Sequence, residues 1–133
     1  MLDAHGRAID YLRLSVTDLC DLRCIYCMPE SGVPHLPHSN ILRVEECIDI
    51  AKTAVELGIR KIRITGGEPL VRRGILEICQ GIGALPGLQE LCITTNGRGL
   101  VDYAVPLRAA GVSRLNISLD TLDPDKYRML TRW

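Results

Sequence analysis

Cys20, Cys24 and Cys27 lie within eight positions, in the stretch DLCDLRCIYCMPE over 18–30, at C-x3-C-x2-C spacing. Thiolates this close together hold iron–sulfur clusters or zinc. Three of them leave a four-ligand site one ligand short. A structural zinc site usually shows two C-x2-C pairs, or one pair with closely spaced histidines. His35 and His38 follow Cys27 closely, so a Cys3His zinc site is the rival arrangement. The cysteine run begins just after an apolar run, YLRLSVT over 11–17. Parallel α/β proteins keep their chemistry at the C-terminal ends of strands. A three-cysteine run placed there is unlike a zinc ribbon, and the open position reads as a place for something else to bind. A second glycine-rich motif, GGEP over 66–69, ends the next apolar run.

Four such runs recur with helical patterns between them: 11–17, 60–67, 88–97 and 113–120. Each is rich in Ile, Leu, Val and Thr and predicts a short strand. Val44, Cys47, Ile48, Ala51, Ala54 and Val55 fall at helical spacing within 44–57, and Gly58 follows as a stop. Ile75, Ile78, Cys79 and Ile82 mark a weaker helix, loosened by Gly81 and Gly83 and ended by Pro86-Gly87. LVDYAVPLRAAG predicts a third helix, with Pro106 kinking it or near its start. A fourth begins with Asp123 as N-cap and Pro124 in its first position.

Regular strand–helix alternation implies a parallel sheet with right-handed crossovers. Alternate residues separate two faces. One holds Leu12, Leu14, Val16, Ile62, Ile64, Leu91, Ile93, Leu115, Ile117 and Leu119. The other holds Arg13, Arg63, Glu90, Cys92, Thr94, Arg114, Asn116, Ser118 and Asp120. A parallel strand covered by helices on both sides should be apolar throughout, and these are not. Buried unpaired charge is costly, so water or a polar ligand must meet the second face. A curled sheet with helices outside and a ligand-filled lumen satisfies this; a half-exposed sheet is the plainer alternative.

The chain of 133 residues suits one domain, and 47% apolar residues suffice for a core. Sixteen basic residues balance sixteen acidic ones, which argues against a general nucleic-acid binder, DNA included. The N-terminus shows no signal-peptide pattern. No apolar run approaches the ~20 residues of a membrane span. The expected location is cytoplasmic, where six cysteines are thiols or metal ligands rather than a disulfide framework.

C-x3-C-x2-C after a first strand, with GGEP at the end of the second, resembles the radical S-adenosylmethionine (SAM) superfamily. The resemblance implies a 4Fe–4S cluster on Cys20, Cys24 and Cys27 whose fourth iron chelates SAM. It also implies that Gly66 and Gly67 admit the methionine moiety and that Glu68 sits near its amino group. Within that superfamily, RLSVTDLCDLRCIYCMPE, IRKIRITGGEPLVRRGI, TTNG and RLNISLDTLDP resemble the GTP 3',8-cyclases of molybdenum cofactor biosynthesis, from about Arg7 to Trp133. Carried over by motif, Tyr26, Gly67 and Ser118 become SAM contacts, and Arg13, Arg63 and Thr94 become GTP contacts. The face reading, made without the family, puts Arg13, Arg63, Thr94 and Ser118 on the polar side. Two arginines there suit a triphosphate, since guanidinium pairs with phosphate oxygens in bidentate fashion. The alternative for either arginine is a salt bridge with Glu90 or Asp120.

The fold this implies is α/β: about four β/α units from the N-terminal part of a (β/α)6 partial barrel. The implied chemistry is reductive cleavage of SAM, hydrogen abstraction from the ribose C3' of GTP and attack on guanine C8, giving 3',8-cyclo-7,8-dihydro-GTP. Implied partners are a flavodoxin- or ferredoxin-type electron donor, a downstream cyclic pyranopterin monophosphate synthase and, for the parent, a homodimer. Such relatives are longer and carry a second 4Fe–4S cluster that holds guanine. The chain is therefore expected to be an incomplete radical SAM core, inactive alone, with an unpaired last sheet edge and uncovered apolar helix faces.

Other readings keep the superfamily with a different substrate, as in maturases or activating enzymes, or reduce the chain to a non-catalytic iron–sulfur or zinc module. GGEP argues against a bare cluster holder. Cys47 and Cys79 read as buried thiols on apolar helix faces, Cys92 as a polar-face residue, and His35 and His38 as surface loop residues.

Overall fold

The computed structural model describes residues 2–34, 36–37 and 40–133. His35 and His38 lie outside the described residues, and with them the zinc alternative they carry.

Four strands form one sheet: β1 (Tyr11–Ser15), β2 (Lys61–Thr65), β3 (Glu90–Thr95) and β4 (Arg114–Ile117). They alternate with α1 (Val44–Glu56), α2 (Ile75–Gly83), α3 (Leu100–Ala109) and α4 (Pro124–Thr131). All pairings are parallel, in the order β1-β2-β3-β4. Each strand is laid beside its predecessor in one direction, so right-handed crossovers carry the intervening helices to one face. A doubly wound sheet would reverse its strand order. The sequential order is that of a partial β/α barrel, as expected.

The apolar face packs as the alternation predicts. Leu14, Val16, Ile62, Ile64, Leu91 and Ile93 meet Cys47, Ala51 and Val55 of α1 and Ile75, Ile78, Cys79 and Ile82 of α2. Each large side chain fully buried here contributes about 1.5–3 kcal/mol. Cys47 and Cys79 are buried thiols in this core.

Two glycines expected to loosen α2 prove to be contact points. A Cβ on Gly81 would stand 2.8 Å from Cγ1 of Ile48, and one on Gly83 would stand 2.6 Å from the Ala110 carbonyl oxygen. Their lack of side chain lets α2 approach α1 and the end of α3, which offsets their poor helix propensity. Pro106 lies inside α3, neither at its start nor ending it. Asp123 caps α4 by accepting hydrogen bonds from the Asp125 and Lys126 amides, with Pro124 next, as expected.

The fourth unit departs from the pattern of the first three. Leu115 and Ile117 of β4 and Leu119 just beyond it remain exposed, as do Val101 and Val105 of α3. Among the described residues β4 has no further strand beside it, so the expected open edge and uncovered faces are present. The C-terminal end of α4 reaches instead to the cysteine loop, where the Arg23 and Ile25 amides donate to the carbonyls of Thr131 and Leu130 at 3.0 and 2.9 Å.

Candidate functional site

The cysteine loop over 18–30 leaves the top of β1 and is pinned on several sides. Beyond β1 the backbone continues ladder-like against the end of β2. The Val16 amide donates to Thr65, the Gly67 amide to Thr17 and the Glu68 amide to Leu19, at 2.9, 2.8 and 2.7 Å. A Cβ on Gly66 would stand 2.5 Å from the Thr17 carbonyl oxygen, and one on Gly67 would stand 2.6 Å from the Leu19 carbonyl carbon. The paired glycines thus serve a close approach of two backbones, and that contact fixes the residue just before Cys20. Gly66 also takes a φ of 153°, which disfavours a side chain.

Glu68 is 2% exposed. Its Oε1 accepts from the Thr95 hydroxyl at 2.7 Å and the Leu70 amide at 3.0 Å, and its Oε2 accepts from the Asn96 amide at 2.6 Å. The carboxylate therefore ties the end of β2 to the end of β3, and about one of its four acceptor positions is left. Sequence reasoning placed Glu68 at a ligand and did not foresee this strut.

The turn after β3 holds the loop in its turn. Asp21 accepts from Asn96 Nδ2 at 2.7 Å and from Arg98 Nη1 at 2.8 Å. Arg98 also lies over the Trp133 ring, 4.5 Å from its centroid, and Tyr127 meets the same ring edge-on. Tyr26, between the last two cysteines, donates to Asp120 Oδ2 at 2.6 Å. Asp21, Asn96 and Arg98 were not anticipated. Their only sequence signal is the Asn-Gly of TTNG, a turn pair, and indeed Asn96 Oδ1 accepts from the Arg98 amide.

Within the loop, the Cys27 and Met28 amides both donate to the Cys24 carbonyl, at 2.9 and 3.1 Å. The Leu22 amide points at Cys20 Sγ, 3.5 Å away. Cys20 and Cys24 are half-buried, Cys27 is exposed, and all three are free thiols. Burial pushes the Cys20 thiol above its ordinary pKa; a bound metal would deprotonate it outright. Among the described residues, no three His, Cys, Asp or Glu side chains converge on one ion. A 4Fe–4S cluster spreads its thiolates over separate irons and does not need that convergence. The donor set, softly ligating and supplied with an amide directed at sulfur, fits such a cluster.

Below the loop lies the polar face of the sheet. Arg13 pairs with Arg63, Arg63 with Cys92, and Cys92 with Arg114, so one register row crosses all four strands. Glu90 takes Arg114 as its partner at 3.1 Å and accepts the Cys92 thiol at 3.1 Å. The thiol contact, followed by Arg114, Lys61 and Arg63, holds the Glu90 carboxyl below its usual range. Cys92, buried on this face, has its thiol pushed up, chiefly by desolvation. Glu90 is thus engaged by Arg114 and Asp120 by Tyr26. Among the described residues neither makes an ion pair with Arg13 or Arg63, the alternative raised for those two arginines. Arg63 instead lies over the Tyr11 ring at 5.6 Å, and among the described residues its buried Nε has no hydrogen-bond partner. Thr94 Oγ1 is buried and likewise finds no partner among the described residues. Buried polar atoms rarely stay unsatisfied, so the row is suited to an anionic, oxygen-rich ligand. Ser118, exposed at the end of β4, is held by its amide to the Thr95 carbonyl at 2.8 Å.

A cavity of about 990 Å³ opens elsewhere, between Leu36, Ile41–Glu45 and Val71–Gly74. It touches Thr17, Asp18 and Leu19 but none of the cysteines or lumen arginines.

A family model described as "Radical SAM superfamily" matches residues 14–133. A GTP 3',8-cyclase of Petrotoga mobilis is 55% identical over 99% of this chain and 41% of its own length. A GTP 3',8-cyclase of Pseudomonas entomophila is 59% identical over 99% of this chain and 39% of its own length. The chain therefore spans about two fifths of the curated relatives it matches. Among solved structures, Streptococcus suis SuiB bound to precursor peptide SuiA superposes with a TM-score of 0.75 at 23% identity, covering 92% of this chain and 27% of SuiB. At that identity the likeness is one of fold.

Proposed function

The chain belongs to the radical SAM superfamily, and from that premise we propose that Cys20, Cys24 and Cys27 hold a 4Fe–4S cluster whose open iron takes SAM. Membership of the family implies both cofactors. When bound, they supply one-electron reduction and abstraction of a hydrogen atom from substrate.

The chain's own residues bind and orient. Gly66 and Gly67 set the loop against β2, and Glu68 and Asp21 set it against β3. Tyr26, Gly66, Gly67, Glu68 and Ser118 ring the strand ends where SAM would lie. Arg13, Arg63 and Thr94 hold the substrate beneath it, and the sheet with its helices keeps water from the reacting carbon.

The proposed substrate is GTP and the proposed reaction its conversion to 3',8-cyclo-7,8-dihydro-GTP, the first step of molybdenum cofactor biosynthesis. High identity to curated GTP 3',8-cyclases supports this. The observation that carries it is a pair of buried atoms, Arg63 Nε and Thr94 Oγ1, that have no hydrogen-bond partner among the described residues, on a face where Glu90 pairs with Arg114 rather than with Arg13 or Arg63. The remaining cysteines do not offer a second cluster site, since Cys47 and Cys79 are in the core and Cys92 is bonded to Glu90. The guanine-holding cluster, the electron donor, the downstream synthase and the dimer belong to the proposal for the longer proteins. Cytoplasmic location is part of the same reading. No helix among the described residues is long and apolar enough to cross a membrane.

Equilibrium dialysis of the anaerobically reconstituted protein with GTP and with guanosine tests the substrate class. GTP should bind more tightly, and the difference should shrink in R13A and R63A. Equal binding of the two would count against a triphosphate site.

A further inference from the structure

We propose that Asp120 is a positioning residue of the cysteine loop: it holds the Tyr26 hydroxyl proton, which fixes the phenol beside the cofactor site and keeps that proton off the Cys24 sulfur. The inference rests on the cluster reading above and gives a role to Asp120, which that reading leaves without one.

Tyr26 is 65% exposed, so packing does little to hold its ring. Its orientation is set by the 2.6 Å hydrogen bond to Asp120 Oδ2, across 94 residues of sequence. Asp120 stands on firm backbone, two residues beyond Ser118, whose amide is anchored on Thr95. Cys24, two residues before Tyr26, also acts on its hydroxyl, more weakly than Asp120 does. A phenol has one proton to give, and a carboxylate is a much stronger acceptor than a sulfur. With Asp120 present the proton goes to the carboxylate. Without it, the Cys24 sulfur would take the proton in the arrangement proposed.

That choice matters because hydrogen bonds to cluster sulfurs set the reduction potential. A donor at a thiolate favours the more negatively charged, reduced cluster and moves the potential upward. Asp120 thereby keeps the cluster a stronger reductant.

The test is an anaerobic redox titration of the reconstituted protein, followed by electron paramagnetic resonance (EPR), in D120A, D120N, Y26F and Y26F/D120A. D120A should have a more positive midpoint than the unaltered protein. D120N loses the charge but keeps an oxygen acceptor, and should stay near the original value. Y26F/D120A should match Y26F. An unmoved midpoint in D120A, an equal shift in D120N, or a shift that persists without the Tyr26 hydroxyl would each overturn the proposal. If D120A takes up no iron, full loading of D120N supports the acceptor role, and failure of D120N overturns it. If the unaltered protein takes up no cluster, the cluster reading falls and this inference with it, a result distinct from a cluster with an unshifted midpoint.

Discussion

Glu68 Oε1 lies 2.7 Å from the Thr95 hydroxyl, and both residues are buried. This contact joins the motif that ends β2 to the turn that ends β3, and the turn in turn holds Asp21 beside Cys20. Removing one partner of a buried, charged hydrogen-bond network leaves the others unsatisfied. E68Q presents an amide where the Asn96 amide needs an acceptor, and should lower stability by about 1–3 kcal/mol. T95V should cost less, since Glu68 keeps its two backbone donors. Urea denaturation of the apo-protein measures both.

The glycine contacts give a second prediction. G81A forces a methyl group against Ile48, and overpacking of this kind costs about 1–3 kcal/mol. Pairing it with I48V should recover part of the loss, because the obstacle is the flexible end of a side chain. G67A meets backbone at Leu19 instead, so no neighbouring side-chain change should rescue it. Thermal melts of the three variants distinguish the two kinds of contact.

How much of this was legible beforehand follows from what each feature depends on. Strand positions, face parity and the core thiols Cys47 and Cys79 depend on apolar spacing, which is local, and they were readable. The cysteine motif and GGEP were readable as motifs. Their struts were not: Glu68 to Thr95, Asp21 to Arg98 and Tyr26 to Asp120 join residues 27, 77 and 94 apart. Charge and polarity mark such residues as polar without saying whom they meet. Gly81 and Gly83 were misread as loosening α2 for the same reason, since a close approach depends on the partner helix.

Thiol chemistry provides a third test. Burial pushes the Cys79 thiol up from 9.0 to about 12. A group whose folded pKa is raised contributes stability fully below its unfolded value and loses it as pH climbs through the folded one. Stability should therefore fall between pH 9 and about 12. C79A should flatten that part of the profile while lowering stability at neutral pH. In the native apo-protein at pH 8, iodoacetamide should modify exposed Cys27 well before Cys47 or Cys79, as peptide mass mapping would read.

Glu90 sets a fourth expectation, of opposite sign. Its carboxyl is held below 4.5, so its contribution is present above that value and lost as pH falls through the lower, folded pKa. E90Q should weaken acid sensitivity in the range below pH 4.5. It should also leave Arg114 without its carboxylate in the lumen row. Circular dichroism against pH compares the two proteins.

Both proposals depend on three cysteines holding a cluster with one iron left for SAM. That arrangement is tested most directly by iron and sulfide analysis and EPR of the anaerobically reconstituted, reduced protein, with and without SAM. About four irons and four sulfides per chain are expected, with a spectrum that changes when SAM is added, and both should be lost in C24S. Zinc in place of iron, or a cluster spectrum that SAM leaves untouched, would contradict that arrangement.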